Sequence, residues 1–412
     1  MIKVIHTADI HFGMENYGKI DPETGIHTRL LDFEKALNFC IDYAIEQEVD
    51  LFLFSGDAYK TAHPTPTQQK LFMRCLLRLF KAGIPIIIIV GNHDNPLSFG
   101  KAHCLEIFKD MPLEGFHVVA KPELIKLNTK HGPLQVVAIP WPTRNTLSLN
   151  TKHSTQSPEE ITQYISQAVG AIIQDYAQQL DTAIPSILAS HMTVSSGVFS
   201  GSEKRAIYGN DPVLMPSQLA IQPFDYVALG HLHRYQDLNP NGYPAIVYSG
   251  SIERVDFGER KEAKGFCLVN VERNNTTHQF IEGPMRPFIQ IEVKLDASNE
   301  DQTEQIIHAL QEKNLKDAII KILYHVPPGQ KDTVNLQMVE RACSNAHYVV
   351  GIIPLRTHTT REKRTGLKVD MNLETLLSAY FNEKPELNTK KAILIEKTLK
   401  MYQEAQQEET TE

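Results

Sequence analysis

Residues 85–94 read PIIIIVGNHD, in which a run of apolar, mostly β-branched residues stops at a glycine and three polar residues. A short apolar run of this kind is typical of a strand that is buried on both faces. The polar residues Asn92, His93 and Asp94 would then lie where this strand leaves its sheet. The stretch therefore predicts a central strand of a helix-covered sheet, with reactive side chains at its carboxyl end.

The same pattern, an apolar run followed by polar residues, occurs four more times within the first 233 residues. The runs are VIHTA, LFLFS, SILA and YVAL, and they lead into Asp9-Ile-His11, Gly56-Asp57, Ser190-His191 and Gly230-His231-Leu232-His233. Helical spacing of apolar residues between the runs predicts helices over 30–48, 67–82 and 158–180. This alternation predicts an α/β fold, an α/β sandwich of two stacked sheets with helices outside.

Because the carboxyl ends of parallel strands share one edge of a sheet, the five motifs are expected to converge there. They supply two carboxylates, one amide and five imidazoles, from Asp9, Asp57, Asn92, His11, His93, His191, His231 and His233. Mixed nitrogen and oxygen donors suit Mn²⁺, Fe²⁺ or Zn²⁺ better than Ca²⁺ or Mg²⁺. A single Asp or His after a strand is usually a cap or a surface residue. Five such motifs predict two metal ions that share a carboxylate, and the glycines at 56, 91 and 230 are expected to allow sharp turns.

Composition and charge limit the class of protein to which this chain can belong. The 412 residues are 42% hydrophobic and 22% charged, which is ordinary for a globular chain of two or three domains. The five cysteines are scattered and form no Cys-x-x-Cys pair, so we expect free thiols. We find no apolar run of about 18 residues and no signal peptide, and therefore expect a cytoplasmic protein without a membrane segment. The net charge of −8 still allows nucleic-acid binding through a local basic surface.

The pattern changes around residues 284–287. Strands predicted over 288–295, 318–326 and 347–354, with helices over 299–313 and 333–343, indicate a small α+β domain. From about residue 372 the pattern is helical, with apolar stripes at Leu373, Leu376, Leu377, Tyr380 and Phe381 and at Ala392, Ile395, Leu399 and Tyr402. These stripes either pack on their own domain or bind a partner, and we favour a partner because little else in the chain would bury them.

The ordered motifs Asp-x-His, Gly-Asp, Gly-Asn-His-Asp, His and Gly-His-x-His resemble those of calcineurin-like metallophosphoesterases. The resemblance implies a first metal bound by Asp9, His11, Asp57 and His233, and a second bound by Asp57, Asn92, His191 and His231. It also implies that His93 contacts the scissile phosphate or protonates the leaving oxygen, and that Asp94 orients His93. Two ions about 3.5 to 4 Å apart would hold the phosphate and activate a water.

The metal motifs alone do not separate phosphatases, cyclic-nucleotide phosphodiesterases and nucleases. The opening KVIHTADIHFG, and SGDAY followed by PTPTQQ, are similar to SbcD-type DNA nucleases, strongly up to about residue 260. The similarity implies a Mn²⁺-dependent DNA exonuclease and endonuclease of DNA end processing, repair and recombination. The implied partner is the SMC-like ATPase subunit SbcC, and a homodimer would lie within a heterotetramer.

The same similarity divides the chain into a metallophosphoesterase (nuclease) domain at 1–285, an α+β capping domain at 286–370 and a helical tail at 371–412. The tail would bind the ATPase. A phosphatase or a small-molecule phosphodiesterase of the same superfamily is the alternative function.

Basic residues near the motifs favour a polyanionic substrate. They are Lys204 and Arg205, then Arg254, Arg260 and Lys261, and five basic residues against one acidic residue in 356–368. A solvated surface explains 356–368 equally well. Some family members carry a His three residues after the Asp of the second motif, where this chain has Lys60, with His63 three residues further on. We assign that role to neither, and we expect His6, which matches no motif, to be structural.

Overall fold

A computed structural model describes residues 1–96, 102–109, 114–143, 147, 157–201, 211–299, 301–356, 377–378, 381 and 390–409. The helices in these residues are α1 (Thr28–Glu46), α2 (Pro66–Lys81), α3 (Glu106–Lys109), α4 (Pro158–Gln179), α5 (Pro216–Leu219), α6 (Gln302–Gln311), α7 (Leu336–Ala342) and α8 (Lys391–Glu409). The helices predicted over 30–48, 67–82 and 158–180 are confirmed as α1, α2 and α4.

The strands of the first half are β1 (Ile2–Thr7), β2 (Leu51–Phe54), β3 (Ile86–Ile89), β4 (Phe116–Val119), β5 (Glu123–Thr129), β6 (Gly132–Ile139), β7 (Ser186–His191) and β8 (Thr193–Val194). Those of the second half are β9 (Val213–Leu214), β10 (Tyr226–Gly230), β11 (Gln236–Asp237), β12 (Ala245–Tyr248), β13 (Gly265–Val271), β14 (Thr277–Glu282), β15 (Phe288–Lys294), β16 (Ile319–Val326) and β17 (Tyr348–Arg356). Among the strands longer than two residues, the apolar-run pattern misses β4, β5 and β14, because these strands are partly exposed and polar residues interrupt them.

Two six-stranded sheets contain all the strands that precede the polar motifs. The first has the order β14-β13-β1-β2-β3-β4, and the second has the order β11-β12-β10-β7-β6-β5. Strands β1 to β4 are parallel to their neighbours in that series, and so are β6, β7, β10 and β12. The carboxyl ends of the motif-bearing strands therefore share an edge within each sheet.

Alternate residues of one strand pack on opposite faces of its sheet. In β2, Leu51 and Leu53 belong to the core between the two sheets, whereas Phe52 and Phe54 pack with α1 and α2. The residues of β10 divide in the same way between the intersheet core and the core that includes α4. The layers are therefore helices, sheet, sheet and helix, which confirms the predicted α/β sandwich.

Two of the helices on the outside of this sandwich begin at a capping box. Thr65 accepts a hydrogen bond from the backbone N–H of Gln68, whose side chain accepts one from the backbone N–H of Thr65. Ser157 and Glu160 make the same reciprocal pair at the start of α4. Each pair satisfies two backbone N–H groups that a helix start leaves unpaired, so the local sequence fixes these two boundaries.

The chain forms two compact units, one of residues 1–291, 307–322 and 335–352, the other of residues 292–306, 323–334 and 353–412. Strands β15, β16 and β17 form a three-stranded sheet in that order, and with α6 and α7 they confirm the elements predicted over 288–354. The domain limits at 285 and 370 stay predictions. Of the predicted apolar stripes, Leu373, Leu376 and Tyr380 lie outside the described residues.

Two further expectations concern the whole chain. All five cysteines are free, as predicted. Among the helices that the structure describes, none combines the length and the apolar character that crossing a bilayer requires.

A candidate two-metal centre

The polar residues that follow β1, β2, β3, β7 and β10 meet at one edge of the sandwich. Nε2 of His11 lies 2.9 Å from Nε2 of His233, although 222 positions separate the two residues. Nε2 of His191 lies 2.8 Å from Oδ1 of Asn92 and 3.4 Å from Oδ2 of Asp57. The structure thus brings together side chains from both sheets, as the strand-end pattern predicts.

The backbone at this edge is strained. Four non-glycine residues lie in the left-handed region, with φ of 52° at Asp9, 48° at His11, 59° at Asp57 and 106° at His231. Such conformations cost on the order of 1–3 kcal/mol each and persist where the surrounding structure enforces them, often at functional sites. The four strained residues all belong to the predicted ligand set, so the strain marks the same edge as the motifs.

The three glycines of the motifs have two different roles. Gly56 has a φ of 98° and turns the chain, as expected. Gly91 and Gly230 have no positive φ, so left-handed backbone is not the reason for a glycine at these two positions. A Cβ added to Gly91 would collide with Asp57, and one added to Gly230 would collide with the carbonyl oxygen of Ser55. These two glycines let neighbouring parts of the site approach closely.

One group of donors consists of Asp9, His11 and His233, whose ligand atoms all lie within 4.8 Å of one another. All three residues are buried. The carboxylate of Asp9 accepts the backbone N–H of His231 at 3.0 Å on both oxygens. These residues are three of the four that the family resemblance assigns to the first metal.

A second group lies around Asn92. Its Oδ1 is 2.8 Å from Nε2 of His191 and 3.1 Å from Nδ1 of His231. Asp57 lies between the two groups, because its Oδ2 is 3.4 Å from Nε2 of His191 and 3.7 Å from Nε2 of His11. A carboxylate in this position can contact both groups, which is the arrangement that a bridging ligand requires.

His93 and Asp94 follow β3 but face different parts of the site. His93 is exposed, and its Nδ1 lies 2.8 Å from the carbonyl oxygen of Lys60. The carboxylate of Asp94 is buried and accepts backbone N–H groups from Asp57, Ala58, Tyr59 and Gly91. The prediction that Asp94 orients His93 is therefore wrong. The Lys60 carbonyl contacts the His93 ring, and Asp94 shapes the loop that carries Asp57.

Three described residues that belong to no motif also contact the site. The ring of Trp141 lies 4.9 Å from that of His231, and Oδ2 of Asp211 lies 3.5 Å from Nε2 of the same histidine. Oε1 of Glu259 lies 2.8 Å from Nδ1 of His233. The sequence gives little signal for them, since Glu259 stands in the charged stretch GERKE, which resembles an exposed turn.

Burial and contact with one another shift the pKa values of the carboxyl and imidazole groups at this site. Burial raises the pKa of Asp9 to about 7, although His191 and His233 oppose the rise. Burial and the neighbouring His233 lower the pKa of His11 well below its usual value. Burial alone would raise the pKa of Asp57, but His191 holds it well below its usual range. Burial opposes a charge on His191, yet Asp57 raises the pKa of this imidazole to about 9.

The donors fit two divalent cations. In metal sites, a ligating histidine usually donates its other ring N–H to an oxygen, which fixes the tautomer and the ring orientation. The far nitrogen of His191 lies 2.8 Å from the carbonyl oxygen of Ser55, and those of His233 and His231 face the carboxylates of Glu259 and Asp211. Each of these imidazoles can therefore present its other nitrogen to the cluster.

Of the basic residues expected to face a polyanion, Arg254 has a different role in the structure. The guanidinium group of Arg254 donates to the carbonyl oxygens of Arg286 and Glu262, so it is engaged within the fold. Lys204, Arg205 and residues 357–368 lie outside the described residues. Lys60 and His63 are both exposed.

The chain resembles known proteins over much of its length. The family model described as calcineurin-like phosphoesterase matches residues 2–235. The chain is 26% identical over 328 residues to the SbcD subunit of the SbcCD nuclease of Staphylococcus saprophyticus, and the alignment covers 79% of this chain and 80% of that protein.

Solved structures that match part of this chain include the Thermus thermophilus protein TT1561 and a dimetal phosphatase from Danio rerio. The alignment with the first has a TM-score of 0.36 and 11% identity, and it covers 68% of this chain and 98% of the Thermus protein. The alignment with the second has a TM-score of 0.37 and 10% identity, and it covers 65% of this chain and 92% of the phosphatase.

Proposed function

We propose that this chain hydrolyses DNA. It belongs to the calcineurin-like phosphoesterase family and is therefore a metal-dependent hydrolase of phosphoester bonds. The observation that carries the hydrolytic chemistry is the position of Asp57 between two groups of nitrogen and oxygen donors. The proposed reaction is exonucleolytic and endonucleolytic cleavage of phosphodiester bonds.

The extent of the likeness to the Staphylococcus nuclease subunit supports DNA. That alignment spans 328 residues, whereas the family model matches residues 2–235 only. The likeness therefore continues beyond the part of the chain that is common to the family. A phosphatase that shared only the metal-binding part of the fold would not be expected to show this.

We assign the two metal sites as the family resemblance implies. The first ion would be held by Asp9, His11, Asp57 and His233, and the second by Asp57, Asn92, His191 and His231. The mixed donor set suits Mn²⁺, Fe²⁺ or Zn²⁺, and among these we propose Mn²⁺, as the resemblance to SbcD-type nucleases implies. When bound, the two cations neutralise the charge of the phosphate and lower the pKa of a water.

His93 is proposed as the group that transfers a proton to the leaving oxygen. Its Nδ1 lies 2.8 Å from the Lys60 carbonyl oxygen, which can only accept, so Nδ1 carries the hydrogen of this contact. The exchangeable proton would then be carried by Nε2. Asp94 is proposed to support catalysis indirectly, because its four backbone contacts hold the loop between β2 and the site.

The proposed assembly also follows from the relative. Its name describes a subunit of a nuclease, and we propose that this chain likewise acts in a complex, with an SMC-like ATPase subunit of the SbcC type. A homodimer within a heterotetramer, a capping domain at 286–370 and ATPase binding through 371–412 belong to the same proposal. The proposed role is DNA end processing in repair and recombination.

The experiment combines the purified protein with Mn²⁺ and end-labelled duplex DNA, beside a His93→Ala variant. We expect this variant to bind two Mn²⁺ and to cleave at least about a hundredfold more slowly, because a positioned proton donor contributes roughly 10²–10⁴ in rate. A His308→Ala variant, which changes a histidine that is 74% exposed on α6, is the matched control and should cleave like the wild type.

Two outcomes would contradict the proposal in different ways. Equal cleavage by the wild type and His93→Ala would remove His93 from the mechanism. If the wild type cleaves no DNA, even with its ATPase partner, but hydrolyses a small phosphomonoester, the phosphatase alternative would replace the nuclease.

A further inference from the structure

We propose that Glu259, held by Lys264, is a positioning residue that fixes the His233 imidazole and sets the affinity of one of the two sites for a divalent cation. This inference rests on the proposed role of His233 as a metal ligand. Glu259 belongs to none of the five motifs and lies 26 positions after His233.

The carboxylate of Glu259 divides its oxygens between two tasks. Oε1 lies 2.8 Å from Nδ1 of His233, and Oε2 accepts the backbone N–H of Val255 at 2.8 Å and contacts Nζ of Lys264 at 2.9 Å. A carboxylate that is paired with an ammonium group only accepts hydrogen bonds, so Nδ1 of His233 carries the hydrogen. The other ring nitrogen, Nε2, is then a lone pair that faces Nε2 of His11 at 2.9 Å.

Lys264 holds His233 at a second point. Its ammonium group contacts Oε2 of Glu259 at 2.9 Å and Oε2 of Glu262 at 3.1 Å, and it donates to the backbone carbonyl oxygen of His233 at 2.7 Å. The side chains of Lys264 and Glu259 are both fully buried. One lysine therefore fixes the main chain of His233 and the carboxylate that contacts its ring, and all three of its donors have partners.

The two sites differ in how their histidines are held. His233 faces the fully buried carboxylate of Glu259 at 2.8 Å. In the other site, Nδ1 of His191 faces the neutral carbonyl oxygen of Ser55 at 2.8 Å. The second imidazole of that site, His231, lies 3.5 Å from the partly exposed carboxylate of Asp211. A carboxylate on the far nitrogen makes an imidazole a stronger metal ligand, and loss of such a partner typically costs about 10–100-fold in metal affinity. Loss of Glu259 should therefore weaken the His233 site and spare the other.

A buried ion pair can also serve stability alone, and the chain contains a matched example. Glu253 is as buried as Glu259, lies 3.9 Å from Nη1 of Arg29 and accepts backbone N–H groups from Arg254 and Arg286. Among the described residues, none of its contacts is a proposed metal ligand. If Glu259 were only structural, glutamine at either position should have the same consequence.

The test is a Mn²⁺ titration of the metal-free full-length protein by calorimetry, with free Mn²⁺ followed by electron paramagnetic resonance. We expect two sites in the wild type. Glu259→Gln should lower the affinity of one site by about 10–100-fold and leave the other within about twofold. Glu253→Gln should lower the thermal midpoint and leave both affinities within about twofold of the wild type.

A second readout separates the sites. Trp141 is the only tryptophan of the chain, and its ring lies 4.9 Å from that of His231, a ligand proposed for the other ion. Its fluorescence should therefore report the occupancy of the second site. The Mn²⁺ dependence of this signal should be the same in Glu259→Gln as in the wild type.

A double variant, Glu259→Gln with Lys264→Met, removes both charges of the pair and so leaves neither buried alone. We expect it to regain the thermal midpoint that the single variant loses, but not the metal affinity. If Glu259→Gln keeps wild-type affinity at both sites, the inference is overturned and the proposed function stays intact. If this single variant fails to fold, the same result in the double variant overturns the inference. A wild-type protein that does not bind two Mn²⁺ would instead overturn the proposed metal centre.

Discussion

Two histidines near β1 show how the interior of the sandwich differs from its edge. His6 lies inside the fold, where Nδ1 is 3.1 Å from the hydroxyl of Tyr226 and Nε2 is 3.2 Å from the carbonyl oxygen of Leu229. His11 lies just beyond the strand, and its Nε2 faces another imidazole nitrogen, that of His233. Both ring nitrogens of the interior histidine have hydrogen-bond partners in the protein, whereas the edge histidine faces a second imidazole, as the proposed metal site requires.

The interior and the edge also differ in how their backbone and their charged groups affect the stability of the fold. The interior strands alternate apolar side chains between two cores, and this burial stabilises the fold. The edge holds the buried carboxylate of Asp9, whose pKa burial raises to about 7, and residues with positive φ. Both features reduce the stability of the fold near neutral pH. The interior therefore provides the stability that allows the edge to keep an unfavourable arrangement suited to chemistry.

The largest expected effect comes from Asp57→Asn at the edge. An amide would not bridge two cations as a carboxylate does, so hydrolysis should fall about a thousandfold, corresponding to about 4 kcal/mol of lost transition-state stabilisation. The measurement is the rate of hydrolysis in Mn²⁺, together with the thermal midpoint with and without Mn²⁺. The wild type should gain stability on binding the metal, and the variant should gain much less.

Asp175→Asn changes an exposed aspartate on α4 and is the control for this prediction. It should retain both the wild-type rate and the stabilisation by Mn²⁺. An Asp57→Asn protein that hydrolyses within tenfold of the wild type would show that the edge works without a bridging carboxylate.

A smaller effect is expected where the edge depends on close packing between the sheets. The Cβ of a Gly230→Ala variant would meet the backbone of Ser55 and lie 2.9 Å from Cβ of Ala8. We expect the free energy of unfolding to fall by about 1–3 kcal/mol, with a loss of hydrolysis because the two groups of ligands move apart. Denaturant unfolding in a metal chelator gives the first quantity, and the rate in Mn²⁺ gives the second.

Gly283→Ala is the matched substitution, because its Cβ would have no neighbour closer than 3.7 Å and the residue has no positive φ. It should leave both quantities close to those of the wild type. Equal stability of the two alanine variants would mean that the edge tolerates separation of the sheets, contrary to the packing described above.

Local sequence accounts for the parts of the site that lie at strand ends. Each apolar run stops at its motif, so the positions of Asp9, Asp57 and His191 follow from strand length and the parallel arrangement. Glu259 and Asp211 could not be found in this way, because only the tertiary fold brings them to His233 and His231.

The role of Asp94 escaped prediction for a different reason. Its position directly after His93 suggests a side chain that orients this ring, but the carboxylate turns inward to four backbone N–H groups. The direction of a loop side chain depends on where unpaired donors lie, and the sequence does not contain that information. The partly exposed strands β5 and β14 escape notice because polar residues interrupt their apolar runs.

The effect that is smallest near neutral pH tests the interior and grows only in acid. Burial lowers the pKa of His6 to about 3, whereas a histidine of the unfolded chain titrates near about 6.5. Between these values the unfolded chain binds a proton that the folded protein does not. The stability associated with neutral His6 is therefore fully present above about pH 6.5 and is lost as the pH falls toward about 3.

A His6→Gln variant keeps a polar side chain at this position but cannot titrate. Between about pH 6 and about pH 4, its free energy of unfolding in a chelator should fall less steeply with pH than that of the wild type. The two slopes should differ by about 1.4 kcal/mol per pH unit. Urea unfolding followed by the fluorescence of Trp141 measures this slope, and His308→Gln, at the exposed histidine of α6, should retain the wild-type slope. Identical slopes for His6→Gln and the wild type would mean that His6 becomes protonated inside the fold. The interior of the sandwich would then not hold His6 neutral, and its two contacts with Tyr226 and Leu229 would no longer distinguish it from a histidine open to protonation.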